Sequence, residues 1–186
     1  MTDLKIETPR LLLREFSPED LDQVDEYASD SEVVKYMQWG PNSREETREF
    51  LVRTADARLV QPRRDFDWAV IHKADGRLIG SCGIHVSAIE SRRAFIGYVL
   101  NRRFWGQGFA TEAAEAVLGF GFDSLKMHRI FATCDAENRR SARVLEKIGM
   151  RYEGRLRDEC RKKGAWRDTF MFAILEQEWG KRRARE

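Results

Sequence analysis

Phe95-Ile96-Gly97-Tyr98-Val99-Leu100 leads into Arg103-Phe104-Trp105-Gly106-Gln107-Gly108-Phe109-Ala110-Thr111, and this junction decides the fold. An apolar run of strand length meets a turn broken by two glycines. The turn opens a helix reading Thr111-Glu112-Ala113-Ala114-Glu115-Ala116-Val117-Leu118. Gly106 and Gly108 permit backbone angles and close approaches that a Cβ forbids. The first amides of a helix lack intrahelical acceptors and sit at the positive end of its dipole, so the loop predicts a site for a phosphate-bearing ligand. Arg103 is expected to place a mobile cation beside it. The chain lacks the Gly-Lys-Ser/Thr of a P-loop, and Thr111 stands where a dinucleotide fingerprint has its third glycine. An ordinary glycine turn is the alternative at this stage.

Downstream, Ile130-Phe131-Ala132-Thr133-Cys134 reads as a buried strand, and Asp135-Ala136-Glu137-Asn138-Arg139-Arg140-Ser141 turns into a helix. Ala142, Leu145 and Ile148 fall on its inner face, Arg143, Glu146 and Lys147 on its outer face, and Gly149 ends it. Arg-x-x-Gly-x-Gly-x-Ala at 103–110, followed by Asn138-x-x-Ser141 and Glu146-Lys147-Ile148-Gly149-Met150, resembles the two coenzyme A signatures of the GNAT N-acetyltransferase superfamily. From Thr8-Pro9-Arg10-Leu11-Leu12-Leu13-Arg14 to Glu178-Trp179 the chain is similar to the RimJ/RimL subgroup.

The resemblance implies an α/β GNAT-like fold, a mixed, mostly antiparallel central sheet with a V-shaped splay and helices on both faces. It implies a single domain over residues 1–180, followed by a basic tail, 181–186. It also implies acetyl-CoA as co-substrate, with Trp105, Gly106, Gln107, Gly108, Phe109, Ala110, Thr111 and Arg103 at its phosphates. Tyr98, Val99, Leu100, Asn138 and Ser141 would lie along the pantetheine arm, and Lys147 would also contact the coenzyme. The implied activity is transfer of the acetyl group to a primary amine by direct attack in a ternary complex. The amine would be a protein N-terminal α-amine of the ribosomal-protein type or a small molecule. A non-catalytic acyl-CoA-binding or regulatory module is the rival.

Acyl transfer to an amine needs a neutral amine, a polarised carbonyl and a proton for the departing thiolate. Many members of the superfamily carry a tyrosine for the last task where this chain has Leu145. Ser141, one turn earlier, inherits the role by resemblance, with helix N-cap as its alternative. Glu159 is the first candidate for the base, His85 the second, and a water chain the third. Gly97 would permit a kink that exposes a main-chain N–H. Among the aromatics near the expected acceptor pocket (Tyr36, Trp39, Phe66, Trp68 and Trp166), Trp39 and Trp166 are expected to face a ligand, together with His85.

The rest of the chain bounds the alternatives. At 186 residues, with 42% hydrophobic and 34% charged residues, it suits one domain. A net charge of +2 argues for neither nucleic acid nor membrane, and Lys181-Arg182-Arg183-Ala184-Arg185 reads as a frayed, solvated tail. Three scattered cysteines fit a reducing cytoplasm. Cys82 and His85 have no second ligand pair nearby and point to opposite strand faces, so no metal is expected. Neither a signal peptide nor a membrane span is visible, and a monomer or homodimer is expected. Leu11–Phe16 is a first strand. Ser17-Pro18-Glu19-Asp20 starts a helix through Tyr27, and Ser43-Arg44-Glu45-Glu46 starts another with Phe50, Leu51, Thr54 and Leu59 inward, stopped by Pro62. Trp68–Ile71 and Leu78–Ile84 form a hairpin around Asp75-Gly76. Met150–Leu156 and Asp168–Leu175 are the last strands, with Arg161–Ala165 as a loop between them.

Overall fold

The structure, a computed structural model, describes residues 4–183. In chain order its elements are β1 (Lys5–Glu7), β2 (Leu11–Glu15), α1 (Leu21–Ala28), α2 (Arg44–Ala57), β3 (Asp65–His72), β4 (Leu78–Ala88) and β5 (Arg93–Leu100). Then follow α3 (Phe109–Asp123), β6 (Arg129–Asp135), α4 (Arg139–Lys147), β7 (Arg151–Lys162), β8 (Ala165–Leu175) and α5 (Glu176–Arg183). The strands form one mixed sheet in the order β1-β2-β3-β4-β5-β6-β8-β7.

Every neighbouring pair in that order is antiparallel except β5 and β6, which run parallel. Their pairing covers Arg93↔Arg129, Ala94↔Ile130 and Phe95↔Phe131 and then stops. Beyond it β6 follows β8 through Asp135↔Thr169, while β5 stays with β4 through Leu100↔Gly80. The two central strands are therefore pulled apart by their outer partners. The sheet opens into a V between Ile96–Leu100 and Ala132–Asp135.

Alternation along the strands feeds two cores. Phe66, Trp68 and Val70 face α3, where Phe120 meets the Phe66 and Trp68 rings at 5.3 and 5.1 Å. Ala69, Ile71 and Val99 face the other way, onto Val24 and Tyr27 of α1 and Leu51 of α2. α3 lies very close to the sheet. A Cβ on Gly121 would fall 2.5 Å from Ile130 Cδ1 and 2.6 Å from Ile84 Cδ1, so a larger residue fits only if both isoleucine tips shift.

Several expectations need correction. α2 ends at Ala57, so Leu59 lies past its last turn and is 70% exposed rather than inward. The expected 161–165 loop is strand. β7 and β8 meet at a two-residue tip, Lys163-Gly164, with φ of 48° and 84°, the left-handed pair that a tight hairpin turn requires. Gly97 makes no kink and pairs in register with Gly83. Lys181–Arg183 are not frayed tail but the end of α5, where Trp179 stacks on Phe122 at 5.7 Å and Arg183 pairs with Asp123 at 2.6 Å. The remainder of the expected tail, 184–186, lies outside the described residues.

Candidate active site

The V opens into a groove of about 760 Å³. Tyr98, Val99 and Leu100 form one side. Gly106, Gly108, Phe109, Ala110 and Thr111 close one end, and Asn138, Ser141 and Lys147 of the α4 region face them. At the loop end, Gly108 is the N-cap of α3 at φ 85°, and among the described residues no side chain caps the helix there. The first intrahelical bond is Glu112 N–H to Gly108 O, 3.0 Å. The amides of Phe109, Ala110 and Thr111 thus have no acceptor within the helix, and they suit an anion. Trp105 fastens the loop to the strand end, its indole N–H donating to Leu100 O at 2.8 Å, and the Arg140 guanidinium lies 5.0 Å over its ring.

On the α4 side, Asn138 is the N-cap, its Oδ1 accepting from Ser141 N–H at 3.1 Å. Ser141 therefore does not cap the helix, and its hydroxyl serves another contact. Ser141 Oγ lies 2.9 Å from the Tyr98 hydroxyl, which also donates to the Ser141 carbonyl at 3.1 Å. Burial pushes the Tyr98 phenol well above its usual range, against the pull of the Ser141 bond. The Cys134 thiol is pushed up to about 11, chiefly by burial, with a bond to Ser141 acting the other way. Leu145 is core, 1% exposed.

Other predicted residues fall elsewhere. Arg103 is turned away from the loop end and pairs with Glu26 at 3.1 Å, as Arg102 does with Asp30 at 2.8 Å. The Gln107 side chain donates to Arg103 O at 3.1 Å. Glu159 is exposed, in the irregular stretch of β7 where register shifts between Leu156 and Cys160. Trp39 and Trp166 are 41% and 62% exposed and lie off the groove lining, and Phe66 and Trp68 are core. His85 is also off that lining, on the sheet face opposite Cys82. There it is gripped by two carboxylates, Nδ1 at 2.9 Å from Asp65 Oδ1 and Nε2 at 3.5 Å from Asp67 Oδ1. Burial raises the Asp67 carboxyl, with the His85 charge opposing. His85 stacks on the exposed ring of Phe95 at 4.8 Å, and the space above Gly97, next but one along β5, is open.

Sequence reasoning missed the opposite wall, where Glu32, Val33, Lys35, Tyr36 and Met37 line the groove. Of these, the sequence singles out Tyr36 alone, as an aromatic near the expected acceptor pocket. This stretch between α1 and α2 has no periodic pattern, and it is brought in by the β7–β8 hairpin: Lys162 Nζ donates to Tyr36 O at 2.9 Å and Lys163 Nζ to Val34 O at 3.3 Å. Arg139, Arg140 and Arg143 also line the groove. Their clustering on one short helix beside a phosphate-type loop was the available signal.

Residues 10–151 match the family described as acetyltransferase (GNAT) domain. An uncharacterised N-acetyltransferase of Bacillus subtilis strain 168, YnaD, is 38% identical, over 95% of this chain and 99% of its own length. The spermidine N(1)-acetyltransferase of Escherichia coli K12 is 25% identical over 90% of this chain and 87% of its own. Among solved structures, a GNAT-family acetyltransferase from Bacillus anthracis superposes with a TM-score of 0.83 at 37% identity, covering 94% of this chain and 99% of that one.

Proposed function

The chain belongs to the GNAT acetyltransferase family and is an N-acetyltransferase, and we propose that it acetylates a cationic primary amine by direct attack within the groove. The acceptor is a small polyvalent amine or a protein N-terminal α-amine. The observation that carries the reading is the groove itself. Uncapped helix amides lie at one end, and a bonded pair of hydroxyls, Tyr98 and Ser141, lies along its length. A likeness to the E. coli spermidine enzyme supports the small-amine acceptor.

Acetyl-CoA, when bound, supplies the acetyl group as a thioester. The Phe109, Ala110 and Thr111 amides hold its phosphates, and Asn138, whose oxygen is spent on the cap, has its side-chain N–H groups to offer the pantetheine arm. Ser141 Oγ delivers a proton to the departing sulfur and regains one from solvent in the groove, and the Tyr98 hydroxyl, 2.9 Å away, orients it. His85, which lies off the groove lining, takes the proton that the amine gives up through intervening water, for which the open space above Gly97 leaves room. A carboxylate only accepts, so Asp65 fixes the His85 proton on Nδ1 and leaves Nε2 to take up the second proton, and Asp67, 3.5 Å from Nε2, steadies the imidazolium that results. Glu159, exposed in the irregular stretch of β7, has no such supporting carboxylates among the described residues.

Release of coenzyme thiol is measured against a panel of peptide N-termini and small amines. Amine-dependent release is expected, falling about a hundredfold or more in Ser141→Ala while acetyl-CoA affinity changes little. Release that no amine stimulates, from a protein that still binds acetyl-CoA, would sink the proposal.

A further inference from the structure

Thr8-Pro9-Arg10, between β1 and β2, is far in sequence from the phosphate loop and touches it directly. Glu112, in the first turn of α3, accepts from the Thr8 hydroxyl at 2.6 Å and the Arg10 amide at 2.9 Å through Oε1, and from Arg10 Nε at 2.7 Å through Oε2. Arg10 Nη1 donates to Gln107 O at 3.0 Å, and its guanidinium lies 4.5 Å over the Phe109 ring. The remaining arm, Nη2, comes within 3.3 Å of where a Cβ on Gly108 would stand. One side chain thus contacts or approaches three consecutive residues of the loop and the first acid of the helix.

Two needs meet there. A loop with glycines at φ 77° and 85° is costly to order, and a ligand that finds it already ordered binds more tightly. A carboxylate in the first turn suits the helix dipole but repels the phosphates that the same turn would bind. Burial would raise the Glu112 carboxyl, but Thr8, the Arg10 amide and the Arg10 guanidinium outweigh it and hold the group below its usual range. The cations next to the glycines do not meet this need, because Arg102 and Arg103 are engaged with Asp30 and Glu26.

We propose that Arg10 is the positioning residue of the coenzyme loop, fixing Gln107–Phe109 and masking the Glu112 charge from the coenzyme's phosphates. This rests on the acetyl-CoA reading above. Calorimetry with acetyl-CoA on the full chain tests both, and wild type that does not bind would sink that reading rather than this one. Given binding, Arg10→Met keeps the stem over Phe109 and loses the fork. It is expected to raise Kd about tenfold or more, since bonds to charged groups are lost, while kcat at saturation falls much less. Arg10→Met/Glu112→Gln removes the unmasked charge and is expected to recover part of the affinity, which a loss of packing would not allow. A folded Arg10→Met with wild-type Kd overturns the proposal, and so does a double variant that binds no better than the single. Should Arg10→Met not fold, Arg10→Gln, which loses both the charge and the fork, is read the same way: weaker binding supports the proposal and unchanged Kd overturns it.

Discussion

At the scale of single residues, the candidate base separates what a strand pattern shows from what it hides. Alternation places Cys82 and His85 on opposite faces, and the structure agrees: Cys82 is in the core beneath α3, and His85 is on the other side beside Phe95. The two aspartates that grip His85 come from β3, through the pairs Asp65↔His85 and Asp67↔Gly83. Cross-strand register is a tertiary fact and leaves no mark in either segment alone. Glu159 is a candidate by resemblance to relatives that use a carboxylate on the strand after the Asn138 helix, but its stretch of β7 is irregular and exposed. The two candidates give different pH profiles. His85→Gln should slow the reaction near neutral pH and let it recover as pH rises through the acceptor's own pKa, about 8 for an α-amine, where the amine is already neutral. Glu159→Gln should leave kcat/KM and its profile almost unchanged, because exposed substitutions away from a site stay within about 0.5 kcal/mol. The reverse result would return the role to Glu159.

At the scale of elements, the strand–glycine–helix junction was legible because every part of it is local. The run Phe95–Leu100, the two glycines and the alanine-rich helix each follow from sequence, although α3 starts two residues earlier than its pattern suggested. β7 was read too short for an equally local reason. Arg157-Asp158-Glu159 has no apolar alternation, Asp158 has φ 49°, and the strand is held by its ladder to β8 rather than by a buried face. The loop's geometry makes a direct prediction. Gly108→Val places a β-branched residue at φ 85°, where it is strained, and adds bulk at the mouth of the uncapped amides. A loop that relaxes to relieve this strain, worth about 1–3 kcal/mol, should bind acetyl-CoA about five- to a hundredfold more weakly. Calorimetry on the folded variant checks it, and unchanged affinity would remove the loop from the binding site.

At the scale of the whole molecule, the splay leaves the end of β6 without a partner on its β5 side, and Asp135 anchors it there. Arg167 reaches it through Nη2 and Nε at 3.0 and 3.1 Å, the Glu137 amide donates at 3.0 Å, and Lys162 Nζ lies 3.7 Å away. Burial works to raise this carboxyl, but Arg167, Glu137 and Lys162 prevail and hold it below its usual range. A carboxyl depressed by folding adds stability above its unfolded value, about 3.9, and loses it as pH falls through the folded one. Asp135→Asn should therefore cost about 1.5–3 kcal/mol in urea unfolding at pH 7, and the gap to wild type should close in strong acid. A gap that persists there would mean packing, not charge, is at stake. None of this was visible beforehand, since Arg167 and Lys162 were assigned to or beside a loop.

The latch between the hairpin tip and the far wall of the groove has a consequence for how relatives could diverge. Lys162 and Lys163 address the carbonyls of Tyr36 and Val34, and every amino acid carries a carbonyl. Substitutions at Glu32, Lys35 and Tyr36 can change the chemistry of the groove wall without loosening the grip that places it, whereas Val33 and Val34 are held in the core. Drift in the wall and retention of the fold are thereby uncoupled, and a new acceptor preference can arise by point changes on a fixed frame.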